Sequence, residues 1–120
     1  MQVNTPLGDA LGKYLDLTAD QMKLTAGNMA NIDTPGFKAE GFDFQKEFTQ
    51  ALHGSAANGA AAQPHVSEVD GLVARPDGNT VSLDRESMQL AKAQLQFRAG
   101  VALLKQEFSQ VMSAIHAEAK

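Results

Sequence analysis

Three histidines, fourteen carboxylates and a scatter of hydroxyls are the residues of this chain that could do chemistry. Their spacing brings none of them into a working set. His53 and His65 bound a run rich in Gly and Ala, with no third ligand nearby and no rigid frame, which suits solvated linker residues better than a metal site. His116 follows Ile115 near the chain end, where a positive imidazole complements a helix C-terminus, and Glu118 beside it has no nucleophile to serve. The Asp and Glu residues fall at solvent-facing helical positions, and no two share an apolar setting that would split their acid and base roles. No Gly-rich phosphate loop, no His-Glu-x-x-His and no Gly-x-Ser-x-Gly elbow occurs. With no cysteine, disulfides, thiolate zinc and a cysteine nucleophile are excluded together. The sequence gives no support to an enzyme, and neither cofactor nor metal is expected.

The totals narrow the class further. The 120 residues carry a formal charge of −4, unevenly spread: −2 over 1–33, −3 over 34–83 and +1 over 84–120. Phosphate binding needs clustered Lys and Arg, so nucleic acid is not an expected partner. The N-terminal Met1-Gln2-Val3-Asn4-Thr5-Pro6 has neither a basic nor an apolar signal region, and apolar residues nowhere run together for the ~18 positions of a membrane span. A soluble helical protein is the plain expectation, and any export would use another route.

Two stretches have the periodicity to position anything. Leu11, Leu15, Thr18, Met22, Thr25, Met29 and Ile32 alternate steps of four and three, a heptad seam weakened by its two threonines. Asn4 or Thr5 is placed to cap that helix, with Pro6 at its first position. Its end is expected near Asn31 in a left-handed conformation, and Thr34-Pro35-Gly36-Phe37 reads as a type II turn with Gly36 at positive φ. The second helix is expected from a cap at Asp84 to about residue 118, with Leu83 stapled onto Met88. Its seam runs through Ser87, Leu90, Gln94, Phe97, Val101, Leu104, Phe108, Val111 and Ile115, and it would be roughly 50 Å long at 1.5 Å per residue. Met88, Leu95, Leu103 and Met112 add a second stripe that calls for a further neighbour, and Gly100 suits a close helix approach.

Between these helices, Phe44, Phe48 and Leu52 share the face of a short helix over 43–52, with Asp43 as cap. Residues 53–65 have linker composition and are expected to be disordered. Residues 66–81 contain Asp70-Gly71 and Pro76-Asp77-Gly78-Asn79, turn signals of a small hairpin or extended arm. The fold class is therefore all-α: terminal helices forming a coiled-coil-like pair around a partly disordered middle that holds a short helix and a small β-hairpin. The expected segments are 1–37 (helix and turn), 38–83 (variable middle) and 84–120 (heptad helix).

Helices that bury their seams poorly alone suit an assembly of copies. In that setting Gly27-Asn28-Met29-Ala30-Asn31-Ile32-Asp33-Thr34-Pro35-Gly36-Phe37 resembles the Ala-Asn-Asn-x-Ala-Asn-x-x-Thr-Pro-Gly-Phe/Tyr signature of the axial proteins of the bacterial flagellum, with Gly27 in place of the usual Ala. The matching positions are Asn28, Ala30, Asn31, Thr34, Pro35, Gly36 and Phe37. Asn79-Thr80-Val81-Ser82-Leu83-Asp84-Arg85-Glu86, followed by Ala91, Phe97, Leu104 and Ala114-Ile115, resembles the proximal-rod branch rather than the hook or distal rod. The likeness spans roughly 7–52 and 76–117. It implies a structural rod subunit that polymerises through its terminal helices, helps transmit torque, and reaches the basal body through the flagellar type III export apparatus without signal cleavage. It also implies partners: copies of the same chain, the adaptor FliE, further rod proteins such as FlgC, and the export gate, for which Phe44 and Phe48 would form a Phe-x-x-x-apolar signal. The alternative is a soluble helical adaptor or chaperone of a secretion system that does not polymerise.

Overall fold

Each helix begins where a side-chain oxygen meets its unpaired N–H groups. In the computed structural model, which describes residues 5–53 and 63–118, Thr5 Oγ1 accepts the Gly8 N–H at 2.9 Å and opens α1 (Pro6–Ala30). Asp43 Oδ1 accepts the Lys46 N–H at 3.2 Å and opens α2 (Phe44–His53). The third helix, α3 (Leu83–Glu118), starts earlier than its sequence suggests. Ser82 caps it, its carbonyl accepting from Glu86 N–H at 2.9 Å and its hydroxyl from Arg85 N–H at 3.4 Å. Asp84 thus lies in the first turn, where its charge suits the helix dipole. The shift of the start leaves Leu83 and Met88 exposed, so the expected staple does not form.

The scaffold is an antiparallel pair of long helices. Asn28 meets Glu86, Leu15 faces Gly100, and the Thr5 hydroxyl donates to Glu107 Oε1 at 2.6 Å. Along α1, Leu11, Thr18 and Thr25 are buried and Leu15, Met22 and Met29 half-buried, with Ile32 half-buried just beyond the helix. The seam threonines need no outside partner: Thr18 donates to Leu15 O at 2.8 Å, and Thr25 accepts from Gln21 Nε2 at 3.2 Å. Along α3 the buried line is Glu86, Ala93 and Gly100, seven residues apart, flanked by half-buried Leu90, Phe97, Leu104 and Val111. Val101 is half-buried, while Phe108 and Ile115 are exposed. The contact therefore keeps one row of the expected seam, Leu90, Phe97, Leu104 and Val111, and replaces the other, Ser87, Gln94 and Val101, by the residues one position earlier. Small residues let the backbones close: a Cβ on Gly100 would stand 2.8 Å from Leu15 Cδ2 and 3.2 Å from Tyr14 Cδ1.

The middle segment covers the flank of α1 rather than α3. Phe44 and Phe48 meet the Tyr14 ring edge-on, with centroids 5.4 and 5.5 Å away, and Lys13 Nζ donates to Ala51 O near the end of α2 at 3.0 Å. The two short strands β1 (Glu40–Gly41) and β2 (Ser67–Glu68) pair antiparallel, Glu40 opposite Glu68. The small sheet thus joins β2 back to the segment after α1, and from 69 to 81 the chain adds turns but no further strand, with Gly71 and Gly78 at φ 81° and 86°. The expectation of disorder over 53–65 falls mostly on residues 54–62, outside the described residues. The whole measures 70 × 29 × 19 Å.

Candidate assembly site

The close of α1 at Asn31 uses no left-handed residue. Asn31 has φ −102°, and no residue other than glycine among those described has positive φ. The expected left-handed Asn31 is unnecessary because its side chain does the work: Nδ2 donates to the Gly27 carbonyl in the last turn at 2.8 Å. The helix tightens as it stops, with Asn31 N–H on Asn28 O and Ile32 N–H on Met29 O. Thr34-Pro35-Gly36-Phe37 then closes through Phe37 N–H on Thr34 O at 3.2 Å, with Gly36 at φ 76°, as a type II turn requires.

A second loop grips this exit. Asn79 is fully buried, and its Nδ2 points at three carbonyls of the exit: Asn31 at 2.9 Å, Ile32 at 3.0 Å and Thr34 at 2.8 Å. Its Oδ1 accepts the Val81 N–H at 2.7 Å, which leaves no lone group in the pocket. Arg75 reaches Ile32 O and Val81 O, Gly36 N–H donates to Asp77 O at 2.9 Å, and Thr80 N–H to Phe37 O at 3.0 Å. The two turns touch backbone to backbone, for a Cβ on Gly78 would lie 3.4 Å from Gly36 Cα.

One turn back, Asn28 behaves like a strand residue inside a helix. Its amide donates to Glu40 O at 2.8 Å and accepts from Glu40 N–H at 3.1 Å, docking the start of β1. The same Nδ2 reaches Glu86 Oε1 at 3.2 Å, and Arg85 Nη1 donates to that oxygen at 2.8 Å. A buried carboxylate on α3 is thus held by an amide from α1 and a cation from its own helix. Farther along, the buried Glu47 of α2 accepts both the backbone N–H and the Nδ1 of His65 at 3.0 Å. Burial raises the Glu47 pKa, and the two His65 hydrogen bonds with the His65 and Lys46 charges outweigh it, so the group sits below its ordinary 4.5. Of the expected site residues, Asn28 and Asn31 enter these bonds through side chains, Thr34 and Phe37 mainly through backbone. Ala30 and Pro35 are exposed and make no side-chain bond, while Phe44 and Phe48 lie against Tyr14.

Asn79, Arg75 and Glu86 are the residues the periodicity does not reveal. For Asn79 and Glu86 the signal is the run 79–86 that carries the family likeness, which gives them no role, and Arg75 has none. Beyond this polar knot α3 exposes large apolar residues in two groups: Met88 at 74 %, Leu95 at 70 %, Leu103 and Met112 of the second stripe, and Phe108 and Ile115, which continue the α1-facing seam past the level of Thr5 and Glu107 where α1 begins. Among the elements α3 packs on α1 alone, so the second stripe is unpartnered among the described residues. Among the described residues no group of three His, Asp or Glu is placed to hold a metal ion, and no helix is long and apolar enough to cross a membrane. What this arrangement offers is a fixed exit and a bare helix face, the geometry of a packing unit.

No family model matches the chain. Curated proteins do. A flagellar basal body rod protein FlgB of Cereibacter sphaeroides is 34% identical over 128 residues, covering 95% of this chain and 99% of the relative. FlgB of Salmonella typhimurium is 31% identical over 84% of this chain and 86% of its own, and that of Escherichia coli 29% identical over the same shares. With the resemblance carried by residues 27–37 and 79–86 now matched over nearly the full length, the chain belongs to the FlgB family of flagellar basal body rod proteins.

Proposed function

We propose that the chain is a subunit of the proximal rod that polymerises through its terminal helices, helps carry torque from motor to filament, and is exported by the flagellar type III system. The observation that supports this best is the bare apolar side chains of α3: the stripe of Met88, Leu95, Leu103 and Met112, and the seam residues Phe108 and Ile115 beyond the start of α1. Exposed apolar area of that extent marks a surface built to be covered. In this reading residues 1–37 and 84–120 are the packing segments and 38–83 is the variable part. The neighbours are copies of the chain, FlgC and FliE, and the location is the rod in the periplasmic space. Phe44 and Phe48 would meet the export gate in the unfolded chain, since folding buries both halfway against Tyr14.

The test is a motile strain whose own copy is replaced by this chain carrying a peptide tag. The tag should be found in purified basal bodies, at the base of the rod by electron microscopy. A chain that stays in the cytoplasm while motility is normal would instead be the soluble adaptor. For the export signal, Phe44→Ala should abolish secretion; normal secretion with faulty rods would leave only the packing role.

A further inference from the structure

The two long helices present outer faces of opposite charge. On α3, Lys92, Arg98 and Lys105 are exposed and no acidic residue occurs from Ser87 to Gln106. They flank the exposed Met88, Leu95, Ala99 and Ala102, on the side turned away from α1. On α1, Asp9 and Asp16 are exposed and Asp20 half-buried on the side turned away from α3, and the exposed Lys23, one heptad beyond Asp16, leaves that side net acidic. None of these seven forms an ion pair among the described residues. The same α1 face carries Gly12 and Gly27, where a Cβ would meet nothing within 4 Å. Each glycine costs its helix about 1 kcal/mol against alanine, with no packing inside the chain to require it.

The spacing of the charges matches. Asp9 and Asp16 are seven residues apart, as are Arg98 and Lys105, a rise of about 10.5 Å on each helix. Because α1 and α3 run antiparallel with Thr5 beside Glu107 and Leu15 beside Gly100, Asp9 lies level with Lys105 and Asp16 level with Arg98. We propose that the outer face of α3 in one copy docks on the outer face of α1 in the next, side by side without axial shift, so that Arg98 meets Asp16 and Lys105 meets Asp9. The apolar stripe around Leu95 is covered by the same contact, and Gly12 and Gly27 let the helices come close. The two faces differ, so the contact is heterologous and propagates from copy to copy into a ring or a helical wall. This rests on the rod reading and adds to it which faces meet and in what register.

The chain has no cysteine, so an introduced pair reports without background. Cells whose only copy carries Asp16→Cys with Arg98→Cys are used to purify basal bodies, which are then oxidised mildly. A ladder of dimers, trimers and higher species is expected, and either cysteine alone should give none. Dimers from a single cysteine, or no cross-link in a chain present in the basal bodies, would overturn this contact and leave the rod reading standing. Absence of the unaltered chain from basal bodies would overturn the rod reading and this contact with it. In the same strain Asp16→Arg or Arg98→Asp alone should lower incorporation about fivefold, the effect of roughly a kilocalorie per interface, and the two exchanges together should restore it.

Discussion

Replacing Asn79 by alanine tests whether the second loop truly holds the exit of α1. The side chain is wholly buried and makes contacts on both ends of its amide. Of the carbonyls it serves, Asn31 O keeps Thr34 N–H, Ile32 O keeps Arg75, and Thr34 O keeps Phe37 N–H. Val81 N–H keeps nothing, because Asn79 Oδ1 is its acceptor and Val81 is buried. An orphaned buried donor costs about 1–3 kcal/mol, and the amide bonds lost on the other end add about 1 kcal/mol. Asn79→Ala should therefore remove about 2–4 kcal/mol from the unfolding free energy, read by urea denaturation followed by circular dichroism. Asn79→Asp sharpens the case. Its carboxylate still accepts from Val81 but turns a negative oxygen toward three carbonyls, so at neutral pH it should be at least as damaging as alanine. Acidification should relieve it, since the protonated acid can donate one hydrogen bond. A loss under about 0.5 kcal/mol for alanine, or an aspartate variant more stable than the alanine one at neutral pH, would refute the clasp.

Four further outcomes follow from the same geometry. Gly100→Val should cost about 1–3 kcal/mol in thermal unfolding, because its side chain enters the space of Leu15 and Tyr14. Gly12→Ala and Gly27→Ala should do the reverse, each raising monomer stability by about 0.5–1 kcal/mol because both sites open on empty space, while lowering recovery in basal bodies. Gly36→Val should cost about 1–2 kcal/mol from the left-handed backbone alone, since no atom crowds that position. Glu47 has its pKa lowered on folding, so it stabilises above its unfolded value of 4.5 and that gain is lost as pH falls from there through the folded value. Glu47→Gln should flatten the acid limb of a pH–stability curve below 4.5 and lower the plateau near pH 7 by the gain the carboxylate no longer supplies.

Periodicity made the two long helices legible, because an apolar step of three and four survives any detail of packing. The Thr-Pro-Gly-Phe turn was equally plain, since only glycine fits its third position without strain. The face that α3 presents to α1 was not. Heptad reading favours large side chains, whereas the contact line here runs through Glu86, Ala93 and Gly100, whose small or polar character looks like a gap in a seam. The left-handed close of α1 failed for a similar reason: the Asn31 side chain serves the Gly27 carbonyl of the last turn in place of backbone geometry. Asn79 was out of reach because its partners are 45 to 48 residues away in the chain, and a lone asparagine after a glycine turn looks like turn chemistry. The motif 28–37 was read as a helix stop, and that holds, yet half of what fixes it comes from residues 75–81.

The two ends of this finding belong together. Among the described residues no buried side-chain polar atom lacks a partner, so the knot around Asn28, Asn79 and Glu86 is complete within one copy. A knot of that kind orients strongly, because each misplaced group would lose its hydrogen bonds at once. Along α3 the reverse is true: large apolar side chains stay in water because α1 covers only one face and α2 turns to the other side of α1. Apolar contact is non-directional and stabilises in proportion to area, so it suits an interface but fixes no angle by itself. The polar exit sets how the helix pair is held, and in the proposed rod the bare face would then have one orientation in which to be covered. A chain whose polar network lay at the interface instead would leave buried groups unpaired in every free copy. With the satisfied network inside and the apolar stripe outside, the described buried polar groups of one copy depend on no neighbour for their hydrogen bonds.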